Sequence, residues 1–352
     1  MSGPLVSVVM VVCNVERFLA ESIESILGQT FRDFEFIILD YGSTDDSKAI
    51  VSRYAAKDSR IKLRETPHCG LAEARNTVSF LAQGRYIAVM DADDMSMPGR
   101  LQWESKFMEE HPEIGVVGGA IQWIDGTGKA LRVDSRPTHD DEIKQVLLDH
   151  YPFCHSSLLM RRDCFVREGG YRSAFAPAED YDLALRMSEH CKCANLEQVV
   201  LRYRIHGTQL SLQKGKYQSL CKLAARACAV SRRKGNGDPL NSAGEITPTM
   251  LAGLGVSKET QQRAIALDRY QWIRDMCMAG EYSLALDAAV EMLNSDLKHV
   301  ERWLVADLRL RAAQLYWKQR RFGSSLLTGA HALVARPELL GRPLKGLLHG
   351  RS

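Results

Sequence analysis

Three aspartates follow a short apolar run, and their spacing suits metal chemistry. Asp91, Asp93 and Asp94 come directly after residues 86–90, whose unbroken apolar character is typical of a buried parallel strand. Ligands of open α/β sheets bind beyond the carboxyl ends of such strands, and clustered carboxylates repel one another unless a cation or sugar uses them. Oxygen ligands of this kind suit Mg²⁺ or Mn²⁺ carrying a diphosphate. A solvated acidic turn or a helix cap is the alternative, because D-x-D alone is common.

The preceding residues predict the sheet that positions these acids. Residues 5–12 read as a buried strand, and an amphipathic helix follows it and ends at Gly28. A second strand at 34–39 leads into a second helix at 46–54. This βαβα order predicts a parallel sheet with right-handed crossovers. Neither the dinucleotide-binding fingerprint nor the P-loop sequence occurs, so those two nucleotide-binding folds lose their main support.

Five motifs occur in a fixed order along residues 5–211. They read VSVVMVVCNVERFLAESIESILGQTFRDFEFIILDYGSTDDS, GLAEARN, MDADD, PAEDYDLALRM and YRIHGTQLS. Together they resemble the family 2 glycosyltransferases, which have the nucleotide-sugar transferase fold called GT-A. The resemblance implies an α/β fold with a Rossmann-like, mainly parallel sheet, followed here by an all-α region. It also implies transfer from a nucleoside diphosphate sugar, with Mn²⁺ or Mg²⁺ as cofactor.

The resemblance assigns roles to single residues. Asp91 and Asp93 match the D-x-D that meets the donor's ribose and its metal-bound diphosphate, and Asp180 matches the catalytic base. His206 matches a late histidine expected to bind the metal, with a packing role as the alternative. The donor-binding residues it implies are Cys13, Asn14, Glu16, Asp40, Tyr41, Arg75 and Asp91.

Two further residues are expected on the acceptor side. Glu179 precedes the predicted base. His155 begins the sequence His-Ser-Ser at 155–157, which leads into a predicted strand at 156–160. A structural histidine is an equally good interpretation of His155. An apolar strand at 114–124 and a return strand at 130–133 predict a hairpin, which family members place over the acceptor.

The chemistry of sugar transfer makes the base assignment sensible by itself. The reaction passes through an oxocarbenium-like state, so an enzyme must stabilise a departing diphosphate and deprotonate an incoming hydroxyl. A single carboxylate that activates the hydroxyl on the opposite face predicts inversion at the anomeric carbon. Asp180 lies in the first turn of a predicted helix, where the helix dipole favours anions. A structural capping carboxylate is the alternative for the same position.

Two departures from the family pattern fall where the nucleobase is expected. Cys13 stands where the pattern Pro-x-Tyr-Asn has its tyrosine, and Tyr41 stands where Asp-Asp-Gly-Ser has its second acid. The family favours a uridine diphosphate sugar, but the missing carboxylate would have paired with the imide N–H of uracil. The base therefore stays open. Tyr41 either stacks on the base in place of the missing aromatic or packs outside the pocket.

The second half of the chain predicts helices. We expect a catalytic domain at 1–211, a helix and linker at 212–260, and a helical region at 261–352. Tyr282 and Phe322 begin two similar stretches, which loosely resemble tetratricopeptide helix pairs. Such pairs bind a partner or form a homodimer, whereas the alternative is a helical cap on the catalytic domain.

Composition bounds the remaining choices. The 352 residues include 45% hydrophobic and 25% charged residues, as in ordinary globular proteins, and the net charge of +3 gives no nucleic-acid signal. No long uncharged apolar span and no signal peptide are present, so we expect a cytoplasmic protein. Nine cysteines without a C-x-x-C pair indicate reduced thiols.

The C-terminal end is basic and contains aromatic residues. From Arg309 onward the chain has nine Lys or Arg residues and a single acid, Glu338. A basic amphipathic helix with interfacial aromatics predicts peripheral contact with an anionic bilayer, which would suit a glycan or lipid-linked acceptor at the cytosolic face of the inner membrane. A solvated basic face is the alternative.

Three other classes compete with the transferase interpretation. A sugar nucleotidyltransferase would carry a Gly-rich, Arg-containing loop at residues 11–17, and VCNVERF does not fit. A processive polysaccharide synthase would need membrane-spanning helices and a Q-x-x-R-W motif, and neither is present. A non-catalytic nucleotide-sugar-binding module is disfavoured by the intact Asp91, Asp93 and Asp180.

Overall fold

The computed structural model describes residues 3–241 and 244–335, apart from the side chains of 210–213 and 333–335. Within these ranges the chain divides into two compact units. The first contains residues up to 204 together with 224–246, and the second contains 205–223 and the residues from 247 onward. The three-part division expected from the sequence stays a prediction.

The first unit is an α/β domain. Its strands are β1 Val6–Val12, β2 Phe34–Asp40, β3 Ile61–Glu65, β4 Tyr86–Val89, β5 Met95–Ser96, β6 Ile114–Ile124, β7 Ala130–Asp134, β8 Leu159–Arg161 and β9 Lys192–Arg204. Its helices are α1 Glu16–Leu27, α2 Ser47–Ala55, α3 Leu71–Phe80, α4 Arg100–Glu110, α5 Asp140–Val146, α6 Arg162–Arg167 and α7 Glu179–His190. Both strands and both helices of the predicted N-terminal βαβα segment are confirmed, with small shifts at their ends.

The strands form one sheet in the order β3-β2-β1-β4-β8-β6-β9-β5, with β7 paired to β6. Strands β1 to β4 are parallel, as predicted, whereas β8 runs antiparallel to both β4 and β6. Val12 of β1 lies opposite Asp40 of β2, and Val9 lies opposite Val89 of β4. The residues that follow these three strands therefore lie at one edge of the sheet, which is where ligands of such sheets bind.

The core explains why β1 and β4 read as unbroken apolar runs. All four residues of β4 and six of the seven in β1 are buried. Helix α1 packs Leu19, Ile23 and Ile26 into this core, and these positions follow the helical repeat. The buried apolar surface fixes β4, and with it the position at which the chain enters the acidic turn.

A buried ion pair secures the same strand end. The Arg100 guanidinium is completely buried, pairs with Glu104 one helical turn later, and donates to the carbonyl oxygens of Val89, Ser156 and Leu158 at 2.8–3.1 Å. One cation thus satisfies three backbone acceptors where β4 ends. A buried arginine is tolerated only when it is paired and hydrogen-bonded in this way.

The hairpin predicted after residue 114 is confirmed, since β7 runs antiparallel to β6. The strand predicted at 156–160 is wrong in its first half. Residues His155–Ser157 form a single 3-10 turn, and β8 begins only at Leu159. The reason is local: the Ser157 amide and hydroxyl both donate to the Cys154 carbonyl oxygen, which favours a turn over a strand.

The second unit is helical, as predicted. Helix α8 Leu210–Arg233 contributes residues to both units, and the later helices are α9 Pro248–Gly253, α10 Lys258–Ala279, α11 Tyr282–Leu293, α12 Arg302–Lys318 and α13 Phe322–Ala335. Helices α10 and α11 pack together, as do α12 and α13, so the helical hairpins are confirmed. No helix of the described ranges is both long and apolar enough to cross a bilayer.

The two similar stretches of the sequence also form a structural repeat. Helices α11 and α13 begin at their aromatic residues, Tyr282 and Phe322. The preceding helices end alike: Glu281 N donates to Met276 O at 2.9 Å, and Arg321 N donates to Tyr316 O at 2.8 Å. These bonds define a Schellman motif at both helix ends, with a left-handed residue at the turn.

Candidate functional site

The acidic turn leaves β4 and brings its carboxyl groups to the sheet edge. The Asp91 amide donates to the Ser156 hydroxyl at 2.9 Å, which fixes the start of the turn. Asp91 and Asp93 are partly exposed, whereas Asp94 is buried. The two acids predicted to bind metal and diphosphate are therefore the two that solvent and ligands reach.

Arg75 of α3 joins the acidic turn to the start of α7. Its Nη2 donates to Asp91 Oδ1 at 3.0 Å, and its Nη1 donates to Glu179 Oε1 at 2.5 Å. The Arg75 side chain is 15% exposed and that of Glu179 is 1% exposed, so both bonds are largely shielded from water. The sequence predicted Arg75 as a donor-binding residue, and the structure places it between two carboxylates of the same site.

The guanidinium shapes the charge of both partners. Burial alone would raise the pKa of the Asp91 carboxyl, but Arg75 and the His155 ring more than offset it and hold that pKa well below its usual range. Burial, helped by the charge of Asp180, raises the pKa of Glu179 although Arg75 opposes the change. Asp91 is therefore the ionised partner of Arg75, and Glu179 is the acid that takes up a proton more readily.

Asp180 lies in the first turn of α7, as predicted, beside Glu179. Its Oδ1 accepts from the Tyr181 amide at 2.8 Å, and the side chain is partly exposed. The hydroxyl of Tyr151 has no hydrogen-bond partner among the described residues, and burial together with the charge of Asp180 raises its pKa. Sequence analysis missed Tyr151, which belongs to no motif.

Buried ion pairs hold α7 in place behind these acids. Asp182 is completely buried, and Arg172 and Arg186 pair with it from either side. Arg172 also pairs with Asp238 at 2.9 Å, which ties α7 to the segment after α8. Glu179 and Asp180 thus stand on a helix whose position is fixed by buried ion pairs, as precise chemistry requires.

His155 lies beside the acidic turn. Its Nδ1 is 3.8 Å from Asp91 Oδ1, and its Nε2 is 3.0 Å from the Tyr171 hydroxyl. The ring is 7% exposed, so it is a buried neighbour of Asp91. Its predicted contact with the acceptor stays a prediction, and its observed partners are Asp91 and Tyr171.

The loops after β1 and β2 are bonded to each other by two of the predicted donor-binding residues. Asn14 Oδ1 accepts from the Thr44 amide at 2.8 Å, and Glu16 Oε2 accepts from the Asp46 amide at 2.8 Å. Asn14 has a left-handed backbone with φ of 52°, a conformation that asparagine tolerates. Both side chains are exposed, and their observed partners are backbone amides of the opposite loop.

The two departures from the family pattern lie together after β1 and β2. Asp40 is buried; its Oδ1 accepts from the Ser43 amide at 2.9 Å, and its Oδ2 has no partner among the described residues. The Tyr41 ring stacks on His68, with centroids 5.9 Å apart and planes 21° apart. Burial, reinforced by the Cys13 thiol, raises the pKa of Tyr41 to about 12, so the phenol stays protonated.

Gly42 explains how His68 approaches this loop. Gly42 has φ of 99°, and a Cβ there would lie 3.0–3.1 Å from atoms of His68. Glycine is therefore required both by the backbone conformation and by the close approach. His68 was not singled out from the sequence, because no spacing rule connects it to the end of β2.

Sequence analysis also missed Arg204, which fixes the far side of the acidic turn. Its amide donates to Asp94 Oδ1 at 2.9 Å, and its Nε donates to the Asp93 carbonyl oxygen at 2.8 Å. Burial and the charges of Asp93 and Asp91 raise the pKa of Asp94 well above its usual value. Arg204 lies inside the motif YRIHGTQLS, which could have drawn attention to the residue but does not indicate its partners.

The acids at this edge suit a divalent ion whose other ligands are phosphate oxygens and water molecules. Across the described part of the chain, no group of three or more His, Cys, Asp or Glu side chains is placed to hold a metal. Asp91 and Asp93 offer two carboxylates, which matches Mg²⁺ or Mn²⁺ sites completed by phosphate oxygens and water. His206 lies in the second unit, where its Nδ1 is 2.8 Å from the Thr208 hydroxyl, and its role as a metal ligand stays a prediction.

Known proteins match this chain in family and fold. The model of Glycosyl transferase family 2 matches residues 7–168. The putative glycosyltransferase EpsE of Bacillus subtilis is 39% identical over 58% of this chain and 74% of its own length. The O-antigen biosynthesis glycosyltransferase WbnJ of Escherichia coli is 32% identical over 57% of this chain and 80% of its own length. The chain therefore belongs to glycosyl transferase family 2 and is a glycosyltransferase.

Two solved structures share the fold. S. aureus TarS, solved with UDP-GlcNAc, superposes with a TM-score of 0.54 at 14% identity, covering 95% of this chain and 91% of its own. The Pyrobaculum calidifontis mannosyltransferase PcManGT, solved with GDP-Man and Mn²⁺, gives a TM-score of 0.50 at 18% identity, covering 97% and 88%. The first unit thus has the GT-A fold expected from the motifs.

The Arg75 bridge generates a stability prediction. Arg75→Gln leaves Asp91 and Glu179 without their cation, and losing one member of a buried ion pair costs about 3–5 kcal/mol. Arg85→Gln is the control, because the Arg85–Glu109 pair is 55% and 44% exposed and such pairs contribute about 0–1 kcal/mol. Denaturant unfolding measures both variants, and equal losses would contradict the bridge.

The same variants carry a pH dependence. The lowered pKa of Asp91 stabilises the folded state above the unfolded pKa of about 3.9, and that stability is lost as the pH falls through the folded value. The gap in unfolding free energy between the parent and Arg75→Gln should therefore narrow below about pH 4. An unchanged gap at acid pH would mean that Arg75 does not pair with an ionised Asp91.

Proposed function

We propose that this glycosyltransferase moves a sugar from a nucleoside diphosphate sugar to a hydroxyl of a glycan or lipid-linked acceptor, with inversion at the anomeric carbon. The acceptor oxygen forms the new bond to that carbon while its proton passes to the Asp180 carboxylate. The bond from the carbon to the phosphate oxygen breaks, and the diphosphate leaves with the electron pair. One base acting opposite the leaving group accounts for the inversion.

The observation that carries the proposal is the Arg75 bridge. Glu179, adjacent to the proposed base, is linked through one guanidinium to Asp91, the first acid of the D-x-D. The group that would accept the proton and the groups that would meet the diphosphate are therefore held by one short chain of bonds. Fixed positions of this kind lower the barrier by orienting reactants before the reaction.

A divalent ion, Mn²⁺ or Mg²⁺, completes the proposed site. When bound, it offsets the negative charge that develops on the departing diphosphate. Asp93 and Asp91 are the residues that would hold it, and His206 is the further ligand proposed from the family motif. The Mn²⁺ in the PcManGT structure supports a metal in proteins of this fold.

The proposed donor is a nucleoside diphosphate sugar. Its base is either uracil or another nucleobase. The two fold relatives were solved with UDP-GlcNAc and with GDP-Man, so the fold accepts both kinds of base. In this chain Tyr41 occupies the position of the acid that would pair with uracil. We propose that its ring forms one face of the base pocket, supported from behind by His68.

The pathway is proposed as the synthesis of a cell-surface polysaccharide or lipopolysaccharide. The name of WbnJ places that relative in O-antigen biosynthesis. Family membership favours this reaction over the two alternatives, a sugar nucleotidyltransferase and a non-catalytic binding module.

Asp180→Asn tests the base. The change preserves shape but removes proton acceptance, so turnover should fall about 10²–10⁴-fold while donor affinity is kept. Asp163→Asn is a closely matched control: Asp163 is the second residue of α6 as Asp180 is of α7, and its Oδ1 likewise accepts from the next amide at 2.8 Å. A collapse of donor binding in Asp180→Asn would show that another acid is the base.

Asp93→Asn tests the metal. Loss of one carboxylate should abolish transfer and remove the part of donor binding that depends on Mn²⁺, as titration calorimetry with and without the ion would show. Arg204 contacts the Asp93 backbone carbonyl, which the substitution keeps, so the turn should stay folded. Unchanged activity with Mn²⁺ would remove Asp93 from the metal site.

Tyr41→Ala tests the base pocket. If the ring stacks on the nucleobase, nucleotide binding should weaken by about 1–3 kcal/mol, as when stacking aromatics are removed from other base sites. Tyr41→Phe keeps the ring and should bind almost as the parent does. Affinities are measured by calorimetry with UDP and GDP, and equal binding by Tyr41→Ala and the parent would place the ring outside the pocket.

A further inference from the structure

An uncharged helix in the second unit begins at a turn that carries three cations. We define the α13 patch as two sets of exposed residues at the end of α12, the turn that follows and α13. The apolar set is Trp317, Phe322, Leu326 and Leu327, and the cationic set is Lys318, Arg320 and Arg321. Leu326 and Leu327 are 70% and 62% exposed, which is unusual for leucines on a packed helix. Trp317 meets Phe322 edge to face, with ring centroids 4.7 Å apart.

Three of the four apolar residues of the patch lie on α13, and the fourth, Trp317, lies near the end of α12. At about 100° per residue, Phe322, Leu326 and Leu327 span an arc of about 140°, and the buried Ser325 and Ala332 lie on the adjoining arc beyond Phe322. Helix α13 contains no Asp, Glu, Lys or Arg in its whole length. A helix with one apolar side exposed needs a partner or a surface to cover it.

The turn before α13 contains a second unusual feature. Arg320 has φ of 60°, in the left-handed region that costs a side-chain-bearing residue about 1–2 kcal/mol. At the equivalent place in the repeat, ahead of α11, the chain has Gly280 with φ of 84°. The same turn is thus made by glycine in one hairpin and by a strained arginine in the other. Strained residues cluster at functional sites, so the left-handed Arg320 motivates the hypothesis that its side chain has a function.

The charge around the patch selects its occupant. Between Asp307 and Glu338 the sequence has no acid, so neither the turn nor helix α13 supplies a carboxylate to the three exposed cations, although Lys318 also lies 3.8 Å from the centroid of the Tyr282 ring. A second copy meeting the patch face to face would bring like charges together. An anionic bilayer surface accepts both features, because its head groups attract cations and its acyl region accepts apolar side chains to a shallow depth.

We propose that the α13 patch docks this protein on an anionic lipid bilayer. The exposed apolar side chains of the patch enter the boundary between head groups and acyl chains, while Lys318, Arg320 and Arg321 contact lipid phosphates. This inference stands on the second unit alone and does not depend on the proposed transfer reaction. Docking would bring a lipid-linked acceptor and the enzyme to the same surface.

Vesicle sedimentation of the full chain tests the proposal. The protein should bind phosphatidylcholine vesicles that contain phosphatidylglycerol, should bind pure phosphatidylcholine far less, and should dissociate as salt is added. Leu326→Ser combined with Leu327→Ser should weaken binding about tenfold or more. Leu81→Ser is the matched control, since Leu81 is 44% exposed on the first unit. Equal binding to both kinds of vesicle would overturn the proposal.

Substitutions of Arg320 test bilayer binding in variants whose weaker binding cannot be explained by a loss of folding stability. Arg320→Gly should raise the melting temperature by removing strain, yet weaken binding to the anionic vesicles about fivefold, the effect of one cation near such a surface. Arg320→Gln should weaken binding similarly without the gain in stability. Vesicle binding that is unchanged in both variants would overturn the role of Arg320.

Two measurements separate this proposal from its rivals. Calorimetry of UDP and GDP binding should give the same affinity in the parent and in the patch variants, so a failed donor assay and a failed docking assay are distinguishable. Analytical ultracentrifugation should give a monomer at the concentrations used for sedimentation. A dimer that dissociates when Leu326 and Leu327 become serine would show that the patch binds a second copy, and would overturn bilayer docking.

Discussion

The shared guanidinium of Arg75 is the interaction on which the rest of the site depends. It sits between Asp91 and Glu179, which are distant in sequence and stand on different elements, and it bonds to both. Two carboxylates brought this close without a cation would repel each other, and one of them would take up a proton. Because the bridge is largely buried, its strength is little screened by water or salt. The acidic turn after β4 and the first turn of α7 are therefore linked by a charge.

The remaining charges at the sheet edge explain why a cation suits this site. Asp93 and Asp180 are partly exposed acids close to the bridge, and Asp94 lies behind them with a raised pKa that favours its neutral form. A diphosphate approaching these carboxylates would be repelled unless positive charge accompanied it. Arg75 is already committed to two partners. A divalent ion would supply the missing charge without a proton donor, which is the role proposed for the ion at the D-x-D.

Much of the fold followed from the sequence, because apolar periodicity and turn residues act over short distances. The strands β1, β2 and β4, the first turn of α7 and the paired C-terminal helices were all predicted correctly. The bonds that complete the site could not be predicted, since Arg75 and Glu179 are 104 residues apart and Arg204 and Asp94 are 110 apart. No local pattern encodes such contacts. The error at 156–160 has the opposite origin, a serine turn stronger than the apolar pattern.

The site contains three pairs of adjacent residues in which one residue is buried and hydrogen-bonded and the other is partly exposed. Asp94 is buried and bonded to the Arg204 amide while Asp93 is partly exposed, and Glu179 is buried against Arg75 while Asp180 is partly exposed. Asp40 is likewise buried and accepts backbone amides, and the next residue, an aromatic, is partly exposed. In each pair one residue anchors the backbone, which holds the other within the narrow limits that binding and catalysis require. Substituting an anchor should therefore change stability first, whereas substituting its exposed neighbour should change ligand binding or rate with the fold intact.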